Sequence, residues 1–261
     1  MNILDKILET KRAEMARARA ERSFESLLEE ARAVTRPVAS FSQALTASPS
    51  GIIAEFKRRS PSKGFIKEGA DVQSIVRGYA ESGAAAISVL TDESYFGGGL
   101  NDLVQARAVT SKPLLRKDFV IDPYQICEAR IAGADVILLI AAALTPEQCA
   151  ELAAFARSLG LEVLLELHNE AELDHLNPDV QVVGVNNRDL TTFVTDTAVS
   201  VRMASFLPAG VVRISESGIS DPEVVKALRR EGYRGFLMGE NFMKRPDPAR
   251  ALEDFTSQLS L

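Results

Sequence analysis

The 261-residue chain has little of what marks several large protein classes. It holds two cysteines, Cys127 and Cys149, and two histidines, His168 and His175, with no CxxC pair and no histidine beside either thiol. Neither a disulfide framework nor a zinc site is indicated, and both thiols are expected to pack as small apolar residues. No apolar run reaches the ~18 residues that a bilayer span requires. The opening stretch, MNILDKILETKRAEMARARAER, has the Arg and Ala of a transit peptide, but Asp5, Glu9, Glu14 and Glu21 are wrong for one and there is no apolar signal core. Positive charge is also in deficit: 30 Lys and Arg against 36 Asp and Glu leave a net charge of -6. That balance argues against a general nucleic-acid or anionic-membrane surface, so any anion site must be local. The expectation is a soluble, cytoplasmic protein with no nucleic-acid or membrane partner.

What is present is repetition. From residue 51 onward, short β-rich runs alternate with helical patterns: IIAEFK (52–57), AISVLT (86–91), PLLRKD (113–118), ADVILLIA (134–141), EVLLEL (162–167), QVVGVNN (181–187), VVRISE (211–216) and GFLMG (235–239). They are mostly continuous apolar runs, as strands buried on both faces of a parallel sheet are. Between them the period becomes helical, as at Val72, Ile75, Val76 and Tyr79. Asp122-Pro123, Asp221-Pro222 and Asp247-Pro248 each place a capping carboxylate before a proline at the first helical position, and Thr145 with Gln148 reads as a capping box. The spacing predicts an α/β protein, a single (β/α)₈ TIM barrel over 49–261 carrying an N-terminal helical extension over 1–48, all one domain.

In residues 1–35, Ile3, Leu4, Ile7 and Leu8, then Phe24, Leu27, Leu28 and Ala31, predict one or two amphipathic helices ahead of the first strand. They need a surface to cover: the bottom of the barrel, a dimer partner, or the active-site end as a lid. KRAEMARARAER is expected to be a solvated helix face. FGGG (96–99) lacks the GxGxxG spacing and downstream acid of a dinucleotide fold and is read as a mobile turn. His168 and His175 are expected in surface loops without a catalytic role.

In a barrel of this kind the reacting groups project from the C-terminal strand ends, and those ends are polar here. The first ends Glu55-Phe56-Lys57, the third Arg116-Lys117-Asp118, the fifth contains Glu166, the sixth ends Asn186-Asn187-Arg188 and the seventh Glu216-Ser217-Gly218. Lone buried charges cost several kcal/mol, so acids and bases gathered on one rim either pair as a structural network or do chemistry. If they converge, burial and like-charge neighbours are expected to lower a lysine pKa toward neutrality and to raise that of Glu166. Such a lysine acid predicts activity lost at alkaline pH. Ser217-Gly218 and Gly239-Glu240 follow the seventh and eighth strands, where such barrels build phosphate cups from backbone N–H groups, with Ser60 and Lys57 available from the first loop.

The strings IIAEFKRRSPSKG (52–64), LLRKDFVIDPYQI (114–126), VLLELHNEAEL (163–173), VGVNNRDL (183–190), ISESGI (214–219) and FLMGENFM (236–243), in that order, resemble the strand-end signatures of the indole-3-glycerol-phosphate synthase family. The similarity runs from about residue 1 to 258 and includes LTDESYFGGGL (90–100). The resemblance implies a lyase of tryptophan biosynthesis that closes an indole ring on a phosphorylated open-chain sugar without cofactor or metal, acting as a monomer or weak homodimer. It makes Lys117 the general acid, gives Glu166 and Lys57 the dehydration, and leaves Glu55, Asn186 and Glu216 to orient Lys117 and bind sugar hydroxyls. Arg188 matches a position near the substrate carboxylate, Phe119 lines the pocket for the aromatic ring, and Ser60, Lys57, Ser217, Gly218, Gly239 and Glu240 take the phosphate. The N-terminal helices would help close the site.

Three positions depart from the family pattern: Asn241 and Phe242 are bulkier than the small residues usual there, and Gly99 stands where a Ser is common. Altered loop packing is the expected result. Two other readings compete. A phosphosugar isomerase barrel would need a Cys/Asp or Asp/Asp pair, which the first strand lacks. A non-catalytic phosphate-binding barrel would have no use for Lys117 with Glu166.

Overall fold

Each of the eight runs becomes a strand, within one or two residues at either end. The computed structural model describes residues 2–189 and 192–259, so Leu190, last in the VGVNNRDL string, lies outside the described residues. The strands are β1 (Ile52–Phe56), β2 (Ala86–Leu90), β3 (Leu114–Lys117), β4 (Val136–Ile140), β5 (Glu162–Leu167), β6 (Val182–Asn186), β7 (Val212–Glu216) and β8 (Gly235–Met238). All pair in parallel with their neighbours in sequence, and β8 pairs with β1, closing the barrel.

Successive side chains on a strand point to opposite faces. Ile52, Ala54 and Phe56 therefore join the outer core beneath the helices, while Ile53 joins Leu115, Val136, Leu138, Leu164, Val182, Ile214 and Leu237 inside the barrel. Both faces are buried, which is why the runs are continuous rather than alternating. The helical stripe of Val72, Ile75, Val76 and Tyr79 is buried against the sheet, and the Asp-Pro and Thr145–Gln148 caps all form. Cys127 and Cys149 are buried and unpaired.

Three helices, one more than the sequence pattern indicates, precede the barrel: α1 (Ile3–Glu21), α2 (Phe24–Ala33) and α3 (Phe41–Ala47). They answer the question of what the extension covers by dividing the work. At the bottom, Phe41 and Leu45 of α3 are fully buried in the inner core. At the top, Ile3, Leu4 and Ile7 of α1 form a wall of the cavity at the C-terminal strand ends. Lys11, read from sequence as solvated, is instead 3% exposed, because its ammonium sits 2.9 Å from Asp92, 3.1 Å from Asp118 and 2.9 Å from Glu14. An ionised group can be buried at this depth only with such partners. The rest of that run is exposed or half-buried, as expected of a helix face. No helix among the described residues is long and apolar enough to cross a membrane.

Candidate active site

The barrel closure brings the inward-facing residues at the strand ends together. Lys117 Nζ lies 3.0 Å from Glu166 Oε2 and 3.2 Å from Glu216 Oε2. Lys57 Nζ donates to Glu55 Oε1 at 2.6 Å. Asn186 Oδ1 accepts from the Arg188 backbone N–H at 3.0 Å, which sets the turn carrying the guanidinium. Two glycines make the cluster possible: a Cβ at Gly184 would stand 2.2 Å from Glu216 Oε1, and one at Gly239 would stand 2.6 Å from Glu55 Oε1. Both carboxylates occupy space that any other residue would fill.

Three buried carboxylates face two ammonium groups here, and the titration of each group follows from that imbalance. Burial alone pulls the Lys117 pKa down, but Glu166, Glu216 and Glu55 together hold it above the ordinary lysine value. The lowered lysine pKa expected from sequence is therefore corrected: the expectation weighed burial and like-charge neighbours and gave the nearby acids no weight. Burial favours the neutral form of Glu166 as well, yet Lys117 and His168 outweigh it and hold the carboxyl below its usual range, which reverses the expectation for this residue too. The raised carboxyl is Glu216, pushed to about 7 by burial and by Glu166 and Glu55, with Lys117 opposing.

A cavity of about 150 Å³ lies above this cluster. Nine of the thirteen residues expected to form the site line it: Glu55, Lys57, Lys117, Phe119, Glu166, Asn186, Arg188, Glu216 and Ser217. Ser60, Gly218, Gly239 and Glu240 lie outside this lining. Ser60 is buried in a two-residue hairpin with Gly64, and the Glu240 carboxylate is held at 2.6 Å by Lys63. The backbone N–H groups of Gly218, Gly239 and Glu240 donate to no carbonyl among the described residues. Phe242, one of the bulky departures, is buried with its ring packed on Tyr79 and Phe255.

Sequence reasoning missed most of the apolar wall: Leu90, Phe96, Leu138, Ile140 and Leu237 line the cavity with Ile3, Leu4 and Ile7. Period-two alternation on strands already identified signals Leu138, Ile140 and Leu237. Nothing local signals Phe96. It belongs to the FGGG segment, where Gly97 N–H donates to Glu93 at 3.0 Å and Gly98 N–H to Asp92 at 2.9 Å. The surface placement expected of both histidines is corrected. The His175 ring is buried, its nitrogens 3.1 Å from the Glu172 carbonyl and 2.9 Å from that of Leu144. His168 Nε2 stands 3.2 Å from Glu166 Oε1, and its Nδ1 stands 3.4 Å from Glu172 Oε2.

A family model described as indole-3-glycerol phosphate synthase matches residues 4–255. Among curated relatives of that name, the protein of Bacteroides thetaiotaomicron is 52% identical over 97% of this chain and 97% of its own length. That of Salinibacter ruber is 46% identical over 97% and 94%, respectively. Among solved structures, a mutant tryptophan synthase alpha-subunit from Pyrococcus furiosus superposes with a TM-score of 0.60, covering 80% of this chain and 97% of that one. At 15% identity that likeness concerns the fold alone.

Proposed function

The chain belongs to the indole-3-glycerol phosphate synthase family, and from that premise we propose that Lys117, Glu166 and Lys57 carry the proton transfers of its reaction. The enzyme is a lyase of tryptophan biosynthesis. It converts 1-(2-carboxyphenylamino)-1-deoxyribulose 5-phosphate to indole-3-glycerol phosphate with loss of carbon dioxide and water. The single observation that carries the assignment is the meeting of Lys117 with Glu166 at 3.0 Å and Glu216 at 3.2 Å beneath an apolar cavity.

The raised pKa of Lys117 keeps it loaded with its proton at neutral pH. It gives that proton to the substrate ketone as the ring carbon bearing the carboxylate attacks, and decarboxylation then restores the aromatic ring. In the dehydration, the hydroxyl departs as water with one added proton, supplied by Lys57, and the neighbouring carbon surrenders a proton as the indole double bond forms. Glu166, held ionised, accepts it. Glu55 and Glu216 hold the two ammonium groups in place, and Asn186 hydrogen-bonds the sugar hydroxyls. Phe119, with Ile3, Leu4 and Ile7 opposite, encloses the aromatic ring, and Arg188 faces its carboxylate. The phosphate is taken by Ser60, Lys57, Ser217 and the unengaged N–H groups of Gly218, Gly239 and Glu240, with the Glu240 side chain turned to Lys63. No cofactor or metal takes part in this scheme.

The chain has no tryptophan, so indole fluorescence growing after addition of the substrate to metal-free protein reports the product directly. Silence with tight substrate binding would favour a non-catalytic phosphate-binding barrel, and silence without binding would refute the reading. We further infer that residues 1–261 fold as one unit, a monomer or weak homodimer in the cytoplasm. A single cooperative unfolding transition and sedimentation as one or two chains are the expected observations.

A further inference from the structure

Three carboxylates, Glu55, Glu166 and Glu216, share the mouth of the barrel with two lysines, and all three are at most 3% exposed. Buried groups of like sign repel strongly at low dielectric, so an unmatched acid must bind a proton or find another cation. His168 lies beside the acid that has to stay ionised. Its ring is 10% exposed, between Glu166 on β5 at 3.2 Å and Glu172 in the following 3₁₀ turn (Glu170–His175) at 3.4 Å. Glu172 also accepts the His168 backbone N–H at 2.6 Å, which fixes the loop and with it the ring. Both ring nitrogens are in ion-pair contact without full hydrogen-bond alignment. Glu166 thus has a basic group at each oxygen, Lys117 on Oε2 and the His168 ring on Oε1.

We propose that His168, carried as an imidazolium between Glu166 and Glu172, is a positioning residue that keeps Glu166 ionised and aimed as the proton acceptor of the dehydration. The inference rests on the role given to Glu166 above. Burial alone would strip the ring of its proton, but the two carboxylates outweigh it and raise the pKa to about 10. The other charged groups lining the groove beside His168, among the described residues, are Arg188, Asp189 and Asp196 after β6 and Arg202 of the helix Ala198–Met203. A lone imidazole in water is half-charged near pH 6.5 and would give Glu166 little support at neutral pH.

The charge state is tested without any turnover. With only two histidines in the chain, the imidazole resonances of His168 are assigned by comparison with His168→Asn and followed through a pH titration. The expected midpoint is near 10, falling by a unit or more in Glu172→Gln. A midpoint near the ordinary histidine value would overturn the proposal even in a fully active enzyme, whereas an inactive protein with a charged His168 would strike only at the function. Turnover supplies the second reading. In His168→Asn the acid limb of kcat is expected to move up by about one pH unit, an approximately ten-fold loss below it, with KM within about three-fold of the parent. His168→Lys, which keeps the charge, should hold the limb near its original position. An equal loss at every pH in both variants would reduce His168 to a packing role.

Discussion

Glu162 and Glu166 stand four residues apart on the same strand, face the same interior and are both buried, 7% and 2% exposed. Their surroundings make them different kinds of residue. At the bottom of the barrel, Glu162 accepts from the Ser40 hydroxyl at 2.6 Å and the Ser42 N–H at 2.8 Å, so its charge is met by fixed neutral donors of the N-terminal segment. Asp135 nearby is likewise saturated, by Arg36 at 2.7 Å, Arg107 at 2.8 Å, and the N–H groups of Ala39 and Leu114, both at 2.9 Å. At the top, Glu166 meets movable cations and has two more acids as neighbours. One end of the barrel ties its carboxylates to fixed donors and resists change. The other leaves titratable groups in competition for protons, as a site that moves protons requires.

The sharpest way to separate the two ends is to remove Lys117. Lys117→Ala is expected to lower kcat by about 10³-fold or more while product still binds, since the acid goes and the phosphate grip stays. Retained turnover, followed by indole fluorescence, would end the general-acid role. The converse experiment belongs at the bottom. Asp135→Ala strands Arg36 and Arg107 without their acid and should cost roughly 3–5 kcal/mol in urea unfolding, with kcat of the folded enzyme within about two-fold of the parent. A stable but inactive Asp135 variant would abolish the division of labour.

A closer comparison uses the two glutamates themselves. Glu162→Ala should cost about 1–3 kcal/mol of stability through unmet donors and leave kcat alone. Glu166→Gln, of equal shape, should cost about 10²-fold or more in kcat with little change in stability. Similar behaviour of the two variants would mean that position along the strand does not set the role.

The remaining expected effect is on stability against pH. Glu216 has a folded pKa of about 7 against an ordinary 4.5, so the folded state binds this proton more tightly than the unfolded chain. That contribution is complete below about pH 4.5 and is lost as pH rises through about 7. Denaturant midpoints of the parent should fall across that window relative to Glu216→Gln, and parallel curves would contradict the raised carboxyl.

The Asp-Pro caps, the stripe on Val72–Tyr79 and the eight strands were legible because each depends on neighbours within a few residues. Most of the polar rim was legible too, because the strand termini are read directly from the runs. The pKa directions at Lys117 and Glu166 came out reversed: Lys117 is held up by acids on strands 49 to 99 residues distant in sequence, and Glu166 is held down by Lys117, equally distant, and by His168, whose orientation the sequence does not show. His168 looked unpartnered beside Glu166, and the solvated reading of Lys11 failed because Asp92 and Asp118 meet it only across the closed mouth.

By itself, the sequence determined the alternation of strand and helix, the places where helices start, and which residue types stand at the strand ends, since local geometry and side-chain period act along the chain. Only the tertiary structure decided which helix closes the top and which the bottom, which carboxylate keeps its proton, and that His168 faces Glu166. Those outcomes depend on through-space charge and burial, which are set when the last strand pairs with the first.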